Sequence, residues 1–428
     1  MKGYAPYLKD LRRLVVRGHA DADFATLAEH AVNGEASARL IELVSGYRLK
    51  RTGAFFTSSE LSARAAGALP VTHSTEALIV DPACGAGNLL LAAARRLPIN
   101  QGLHATLTAW GRRLAGFDLH SGFVEAAHLR LAVLALSRGA QFDLARPRSL
   151  ANYFPHIRRG DGLREIATLQ GIEALIVNPP FASVRAPKSY QWANGRVTKA
   201  ALFFDRCLQY LPPGAAISAV LPDVLRSGSR YHHWRLAMEK HALITDIRPV
   251  GNFKTANVDV FHLEMRMHTD KEVSSRAGVW WSESVAPSKL GERFSVSVGP
   301  VVPHRLEPDE GPSSAYLHAK TLPHWGECEP GNERVAFRGR LFKPPFVVVR
   351  RTSSPKDKYR ALGTVIIGEE AVAVENHLLV CAPLKGGLSA CRELLVALQA
   401  DDTNKFLNRR IRCRHLTVGV VREVPLPI

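Results

Sequence analysis

Cysteine is sparse and unpaired in spacing: Cys84, Cys207, Cys328, Cys381, Cys391 and Cys413 are scattered, with no C-x-x-C motif among them. That pattern excludes a disulfide framework and a structural zinc site, so reduced thiols and no metal are expected. Long apolar runs are missing as well. The longest, residues 89–94 and 131–136, fall far below the roughly 18–20 residues of a membrane span. No secretory-signal pattern opens the sequence, and a cytoplasmic protein with no membrane contact is expected. Internal repeats and low-complexity tracts are also absent, which excludes solenoid architectures. Acidic residues are short in supply, 39 against 56 Lys and Arg, for a net charge of +17. An excess of that size points to a polyanionic partner or to a basic solvated surface. It is concentrated near the end: residues 331–428 hold 17 Lys and Arg against 9 Asp and Glu.

What is present is an ordinary globular balance, 46% hydrophobic and 22% charged over 428 residues, enough for more than one packed core. Residues 1–50 read as a helical lead-in, with Leu14, Ala25, Leu27, Ala31, Leu40, Leu43 and Val44 as apolar positions between charges. From Leu78 onward, apolar runs end in Asp, Gly or Asn and pass into helical stretches. The strands are expected near 77–80, 114–117, 174–177, 216–221 and 244–250. Strands alternating with helices predict a doubly wound, mostly parallel α/β sheet. A polar stretch at 268–278 marks a boundary. Beyond it, β-type runs at 295–302 and 346–349 and a helical stretch at 388–400 predict a mixed α/β domain at 279–428.

Three strand ends carry the chemistry. Residues 77–91 read ALIVDPACGAGNLLL: a strand, Asp81, then Gly85 and Gly87 in a tight turn before a helix. Glycines there let backbone approach a ligand. The spacing is neither the dinucleotide fingerprint nor a Walker motif, so neither NAD nor ATP is favoured. Residues 115–120, AGFDLH, put Asp118 at the next strand end, where a carboxylate can accept both hydroxyl protons of a ribose. Asp161, in RRGDGL, can hold an adenine amino group. In isolation each of these acids reads equally well as a helix cap or a turn residue.

Residues 174–184, ALIVNPPFASV, are the most informative. An apolar strand ends in an amide, two rigid prolines, Pro179 and Pro180, and an aromatic ring. An exocyclic amine on a planar ring is a poor nucleophile because its lone pair is delocalised. Two acceptors gripping its hydrogens, the Asn178 side-chain oxygen and the Pro179 carbonyl, turn that nitrogen towards sp³. Phe181 can stack on the base and align it with a methyl donor, so positioning and desolvation do most and no strong base is required.

On these motifs the sequence resembles the S-adenosylmethionine-dependent DNA adenine-N6 methyltransferases, in the restriction-modification-like order with target recognition C-terminal. The resemblance covers residues 51–267 and implies a Rossmann-like class I catalytic domain there, with DNA target recognition at 279–428. RTGAFFTSSELSARAAGAL resembles the family's motif before the first strand. That resemblance assigns Thr57 to the cofactor's methionine carboxylate, Asp81, Ala83, Gly85 and Gly87 to its methionine portion, Asp118 to its ribose and Asp161 to its adenine. NPPF matches the catalytic motif through Asn178, Pro179, Pro180 and Phe181. GNFKTANVDVFHLEM resembles the segment presenting a second aromatic, Phe253, to an extruded base. Two residues depart from the family pattern: Ser58 in place of a proline, and Asn88 after the second glycine. The implied partner is double-stranded DNA, with Arg334, Arg338, Arg340, Lys343, Arg350 and Arg351 as candidates for phosphate or base contacts.

Rivals follow from the same chemistry. Protein glutamine and RNA guanine-N2 methyltransferases use this tetrapeptide because their substrates also present a planar NH2 group. Cytosine-N4 enzymes commonly carry Ser where Asn178 stands. A DNA-binding modification subunit needing a partner is the alternative from another class, and it would be free to lose Asn178. A fused nuclease is not expected in the roughly fifty residues before Thr57; a restriction endonuclease or defence-system partner would be a separate chain.

Overall fold

A computed structural model describes residues 4–18, 22–33, 57–70, 77–144, 149–253, 258–269, 280–281, 288–306 and 311–426, excluding the side chains of Asn252 and Phe253. The chain divides into two compact units. One comprises Met1–Leu225 with His233–Gly278, the other Arg226–His232 with Val279–Ile428.

In the first unit the apolar runs become strands Leu78–Asp81 (β1), Leu114–Asp118 (β2), Ile157–Arg159 (β3) and Ile172–Val177 (β4). A hairpin follows, Ser183–Arg185 (β5) and Arg196–Thr198 (β6), then Ala216–Pro222 (β7), Ala242–Phe253 (β8) and Val258–Met267 (β9). The central sheet runs β3-β2-β1-β4-β7-β9-β8. Its first five strands are parallel, and β9 is antiparallel to both β7 and β8. This is the doubly wound, mostly parallel α/β fold expected. Every residue of β1 and β7 is buried, which is why both read as unbroken apolar runs rather than alternating ones. β3 escapes sequence reading because it is three residues long and only Ile157 faces the core, followed by two exposed arginines.

The α-helices described ahead of β3 are Ala5–Arg17 (α1), Phe24–Val32 (α2), Ser59–Gly67 (α3), Asn88–Ala94 (α4), Leu103–Arg113 (α5) and Ser121–Ser137 (α6). α6 is buried on nearly all sides and shares one core with α1, α2, α4 and α5. α1 contributes Tyr7, Leu8, Leu11, Leu14 and Val15, a stripe at helical spacing. Leu14 and Ala31 are buried as expected, whereas Ala25 and Leu27 are exposed: on α2 the inward face is set by Phe24, Ala28, Ala31 and Val32, and the intervening positions turn to solvent. Leu40, Leu43 and Val44 lie outside the described residues. No described helix is long and apolar enough to cross a membrane.

The second unit is built on a five-stranded sheet in the order Phe294–Val298, Leu378–Pro383, Phe346–Arg350, Gly363–Ile366, Glu327–Cys328. Its central strand shows the period-2 logic of a sheet covered on both faces. Val347 and Val349 join the core made with helices Gly387–Gln399 and Asp401–Arg410. Phe346 and Val348 join the opposite core, with Leu317, Val372 and Val374 of a three-stranded sheet.

Candidate active site

The site grows from the carboxyl ends of β1, β2, β3 and β4. After Asp81 the backbone turns through Gly85 and Gly87, at φ +52° and +85°, a region that favours glycine. A β-carbon on Gly87 would also lie 2.9 Å from that of Ala127 on α6. Asp81 is 1% exposed, and its Oδ1 accepts from the Ala83 N–H at 3.1 Å. Burial, reinforced by the charge of nearby Asp118, pushes the Asp81 carboxyl up to about 8. It therefore holds its proton at neutral pH.

The Cys84 N–H donates to Phe117 O at 2.9 Å and lays the glycine loop across the end of β2. There Asp118 accepts from the His120 N–H at 2.8 Å. Its carboxyl is raised by burial and lowered, to a smaller degree, by N–H donation from His120, by the His120 charge and by the Gly85 N–H. Asp161 follows β3 and caps the short helix Gly162–Glu165, accepting from the Leu163 N–H at 3.1 Å. A β-carbon on Gly162 would stand 1.7 Å from Pro82 O. Glycine thus lets the Asp161 turn rest on the loop after β1, and Asp161 keeps an exposed side chain.

The order β3-β2-β1 on one side and β4-β7 on the other makes the β1/β4 boundary the point where connections reverse, the place where open α/β sheets form a ligand crevice. Asn178 stands there. Its Nδ2 donates to Thr57 Oγ1 at 3.0 Å, and the Thr57 carbonyl accepts from Asn88 Nδ2 at 2.7 Å. Asn88 Oδ1 in turn accepts from Arg130 at 2.8 Å. Arg130 is fully buried in α6 and also donates to Ala31 O at 2.7 Å and to Ala86 O. Pro179 is buried, Pro180 and Ala83 are half-buried, and Phe181 packs against Leu61, Val220 and Val260.

Both departures from the family pattern have structural work. Ser58 caps α3 by accepting from the Leu61 N–H at 3.3 Å, and Asn88 joins the glycine loop to Thr57. Arg130 is the site-supporting residue that sequence reasoning missed. Its signal is a lone cation within LRLAVLAL at 129–136, since an arginine in an all-buried helix needs internal acceptors. Arg130→Met leaves two buried acceptors and one half-buried acceptor without this donor and is expected to destabilise the protein by about 3 kcal/mol. Urea denaturation monitored by circular dichroism measures it, and an unchanged midpoint with unchanged slope would refute the bracing role.

Other sequence-derived candidates lie outside the described residues or belong to the second unit. Phe253 closes β8, but its side chain and residues 254–257 lie outside the described residues, as do residues 51–56 of the Thr57 motif. The basic candidates belong to the second unit, and they are not equivalent. Arg334 pairs with Glu370 at 2.8 Å, while half-buried Arg350 and Arg351 donate to Leu322 O and Asn376 O at 3.1 and 3.4 Å. Arg338, Arg340 and Lys343 are exposed, Arg340 lying 4.7 Å over the Phe342 ring. Arg360 is internal, bonded to Ser353, Asn408, Ile411 and Cys413. Part of the second unit's positive charge is therefore a folding device rather than a surface.

Residues 32–228 match the model of the N-6 DNA methylase family. No curated protein matches the chain. Among solved structures, similarity extends to a Listeria monocytogenes protein assigned as a class I S-adenosylmethionine-dependent methyltransferase, at 17% identity over 51% of this chain and 62% of that one, TM-score 0.35. The type IIG restriction endonuclease BpuSI is similar at 13% identity over 92% of this chain and 61% of that one, TM-score 0.42. The type IIL restriction-modification enzyme MmeI, solved in complex with DNA, is similar at 10% identity over 94% and 67%, TM-score 0.46. The chain thus spans about three-fifths of the length of the first two. Thr57, Asp81, Asp118, Asp161 and the Asn178–Phe181 motif all fall inside the segment that matches the N-6 DNA methylase family model.

Proposed function

We propose that this chain transfers a methyl group from S-adenosylmethionine to the N6 amine of an adenine flipped out of duplex DNA. The observation that carries the reading is the meeting of Asn178 with Thr57 and, through it, with the glycine loop after β1. The amine grip and the cofactor cradle are one hydrogen-bonded assembly. The cradle suits a cationic nucleoside ligand. Its glycine turn excludes side chains, and its carboxyls, Asp81 and Asp118, are both raised by burial, so a cation bound beside them favours their ionised forms and offsets that cost.

When bound, S-adenosylmethionine supplies an electrophilic methyl group on its sulfonium. In this reading Thr57, Asp81, Ala83, Gly85 and Gly87 hold the methionine portion, Asp118 the ribose and Asp161 the adenine. With the Asn178 amide nitrogen on Thr57, its oxygen is the acceptor end, and together with the Pro179 carbonyl it takes the two amine hydrogens. Pro180 stiffens the turn and Phe181 stacks on the base. Flipping a paired adenine costs a few kcal/mol, which stacking between Phe181 and Phe253 partly offsets. Residues 51–267 carry the chemistry, behind the lead-in of 1–50, and residues 279–428 recognise the target, with exposed Arg338, Arg340 and Lys343 as the phosphate contacts best placed to act.

The test is to incubate the protein with S-adenosylmethionine and mixed-sequence duplex DNA, digest to nucleosides and search by mass spectrometry for N6-methyladenine, with Asn178→Ala as control. Product from the parent protein only supports donor, substrate and catalytic residue together. No product while cofactor still binds overturns the reading in favour of RNA or protein substrates, or of a subunit needing a partner.

A further inference from the structure

Between Glu173 and Asp205 the chain has no carboxylate but has Arg185, Lys188, Arg196 and Lys199. All four are exposed, and all lie on the β5–β6 hairpin or the helix residue that follows it. The hairpin is tied to the Asn178–Phe181 motif. Thr198 Oγ1 donates to Phe181 O at 3.3 Å and the Lys199 N–H to Ala182 O at 2.6 Å. Its far end is anchored by Trp192 Nε1, which donates to buried Asp205 at 2.6 Å, with the Tyr190 ring 5.5 Å from that of Trp192.

The register sets Arg185 directly opposite Arg196, and like charges at cross-strand positions destabilise a two-stranded ribbon. Arg196 turns its guanidinium back onto Ser183 O at 2.8 Å. Such a pair, with no acidic residue in the surrounding stretch, suits a polyanion laid along the hairpin. The bonds of Thr198 and Lys199 to Phe181 O and Ala182 O join the hairpin's base to the Asn178–Phe181 motif, which makes the substrate itself the fitting polyanion.

We propose that the β5–β6 hairpin grips the sugar–phosphate backbone of the DNA strand beside the reacting adenine through Arg185, Lys188 and Lys199. This rests on the DNA-methylation reading above and adds a contact surface to it within the catalytic unit. Phosphate contacts carry no sequence information, so the grip acts equally on all sequences.

The experiment measures the dissociation constant for mixed-sequence duplex DNA over a range of salt concentrations, comparing the full chain with Arg185→Ala/Lys188→Ala and with the charge-preserving Arg185→Lys/Lys188→Arg. Two lost phosphate contacts are expected to flatten the slope of log affinity against log salt by about 1.8. The charge-preserving variant keeps the parent slope, which a merely structural role for these side chains would not require. Cofactor affinity and thermal midpoint stay at parent values in both. An unchanged slope in the alanine variant, with the parent methylating DNA, overturns the hairpin contact alone. A parent protein that neither binds nor methylates duplex DNA overturns the hairpin contact and the underlying reading together.

Discussion

Asn178→Ala is expected to lower the rate of methyl transfer by a factor of about 10²–10³, the usual loss when one preorganised hydrogen-bonding group at a reacting centre is removed, with cofactor affinity close to that of the parent. The separation follows from the hydrogen bonds. Thr57 loses its contact with the Asn178 amide but stays attached to Asn88 through its carbonyl, and Asn88 remains on Arg130. The cradle therefore survives while the acceptor for the amine is lost. Single-turnover transfer and calorimetric titration of the cofactor read the two quantities separately. Undiminished transfer would remove Asn178 from the chemistry. An equal loss in both would make it a brace for Thr57 rather than a catalytic residue.

The affinity for S-adenosylmethionine is expected to rise with pH between about 5 and 8, by up to about tenfold per unit. The sign follows from Asp81. Its carboxyl sits at about 8 in the free protein because burial and the neighbouring Asp118 disfavour the ionised form. A cationic ligand beside it favours the carboxylate and lowers that value, so binding releases a proton and strengthens as protons become scarce. The same group makes the free protein less stable as pH rises from the ordinary carboxylate range through about 8, because the stabilisation of the protonated form is fully present only below the unfolded value. Asp81→Asn mimics the neutral acid. It should flatten both dependences, with stability near the parent value only below the ordinary carboxylate range and above the parent value at higher pH. Calorimetry in buffers of different ionisation enthalpy counts the released proton directly, and a count of zero at pH 7 would sink the linkage.

The parallel strands and their turns were legible because their signals are local. A fully buried strand is a continuous apolar run, and the residue that ends it is punctuation: Asp81, Asp118 and Asn178 each close a strand at the position read from sequence or one residue away. Asp161 was legible as a residue before a helix, and its bland reading as a cap is its observed local bonding; the proposed adenine contact would use the same strand-end geometry. β3 and the β5–β6 hairpin were not legible. A three-residue strand with one inward side chain has no periodicity to detect, and SVRAPKSYQWANGRVT has no strong apolar alternation.

The sequence by itself determined the α/β class, the strand ends and the residue types that can perform this chemistry, because hydrophobic period, glycine turns and proline rigidity act over a few neighbours. Only the tertiary structure decided which of those residues meet. Thr57 and Asn178 are separated by 121 positions, and Asn88 and Arg130 by 42; the first contact forms at the end of β4, beside β1 in the sheet order, and the second because α4 and α6 share one core. The same holds for the basic residues. All of them count alike in a net charge, but Arg360 is buried on carbonyls and amides, Arg334 is paired with Glu370, and Arg185 and Lys188 face solvent. Whether a cation binds a partner or braces the fold depends on which acceptors the packed chain places within reach, and that is a property of the folded surface rather than of local order along the chain.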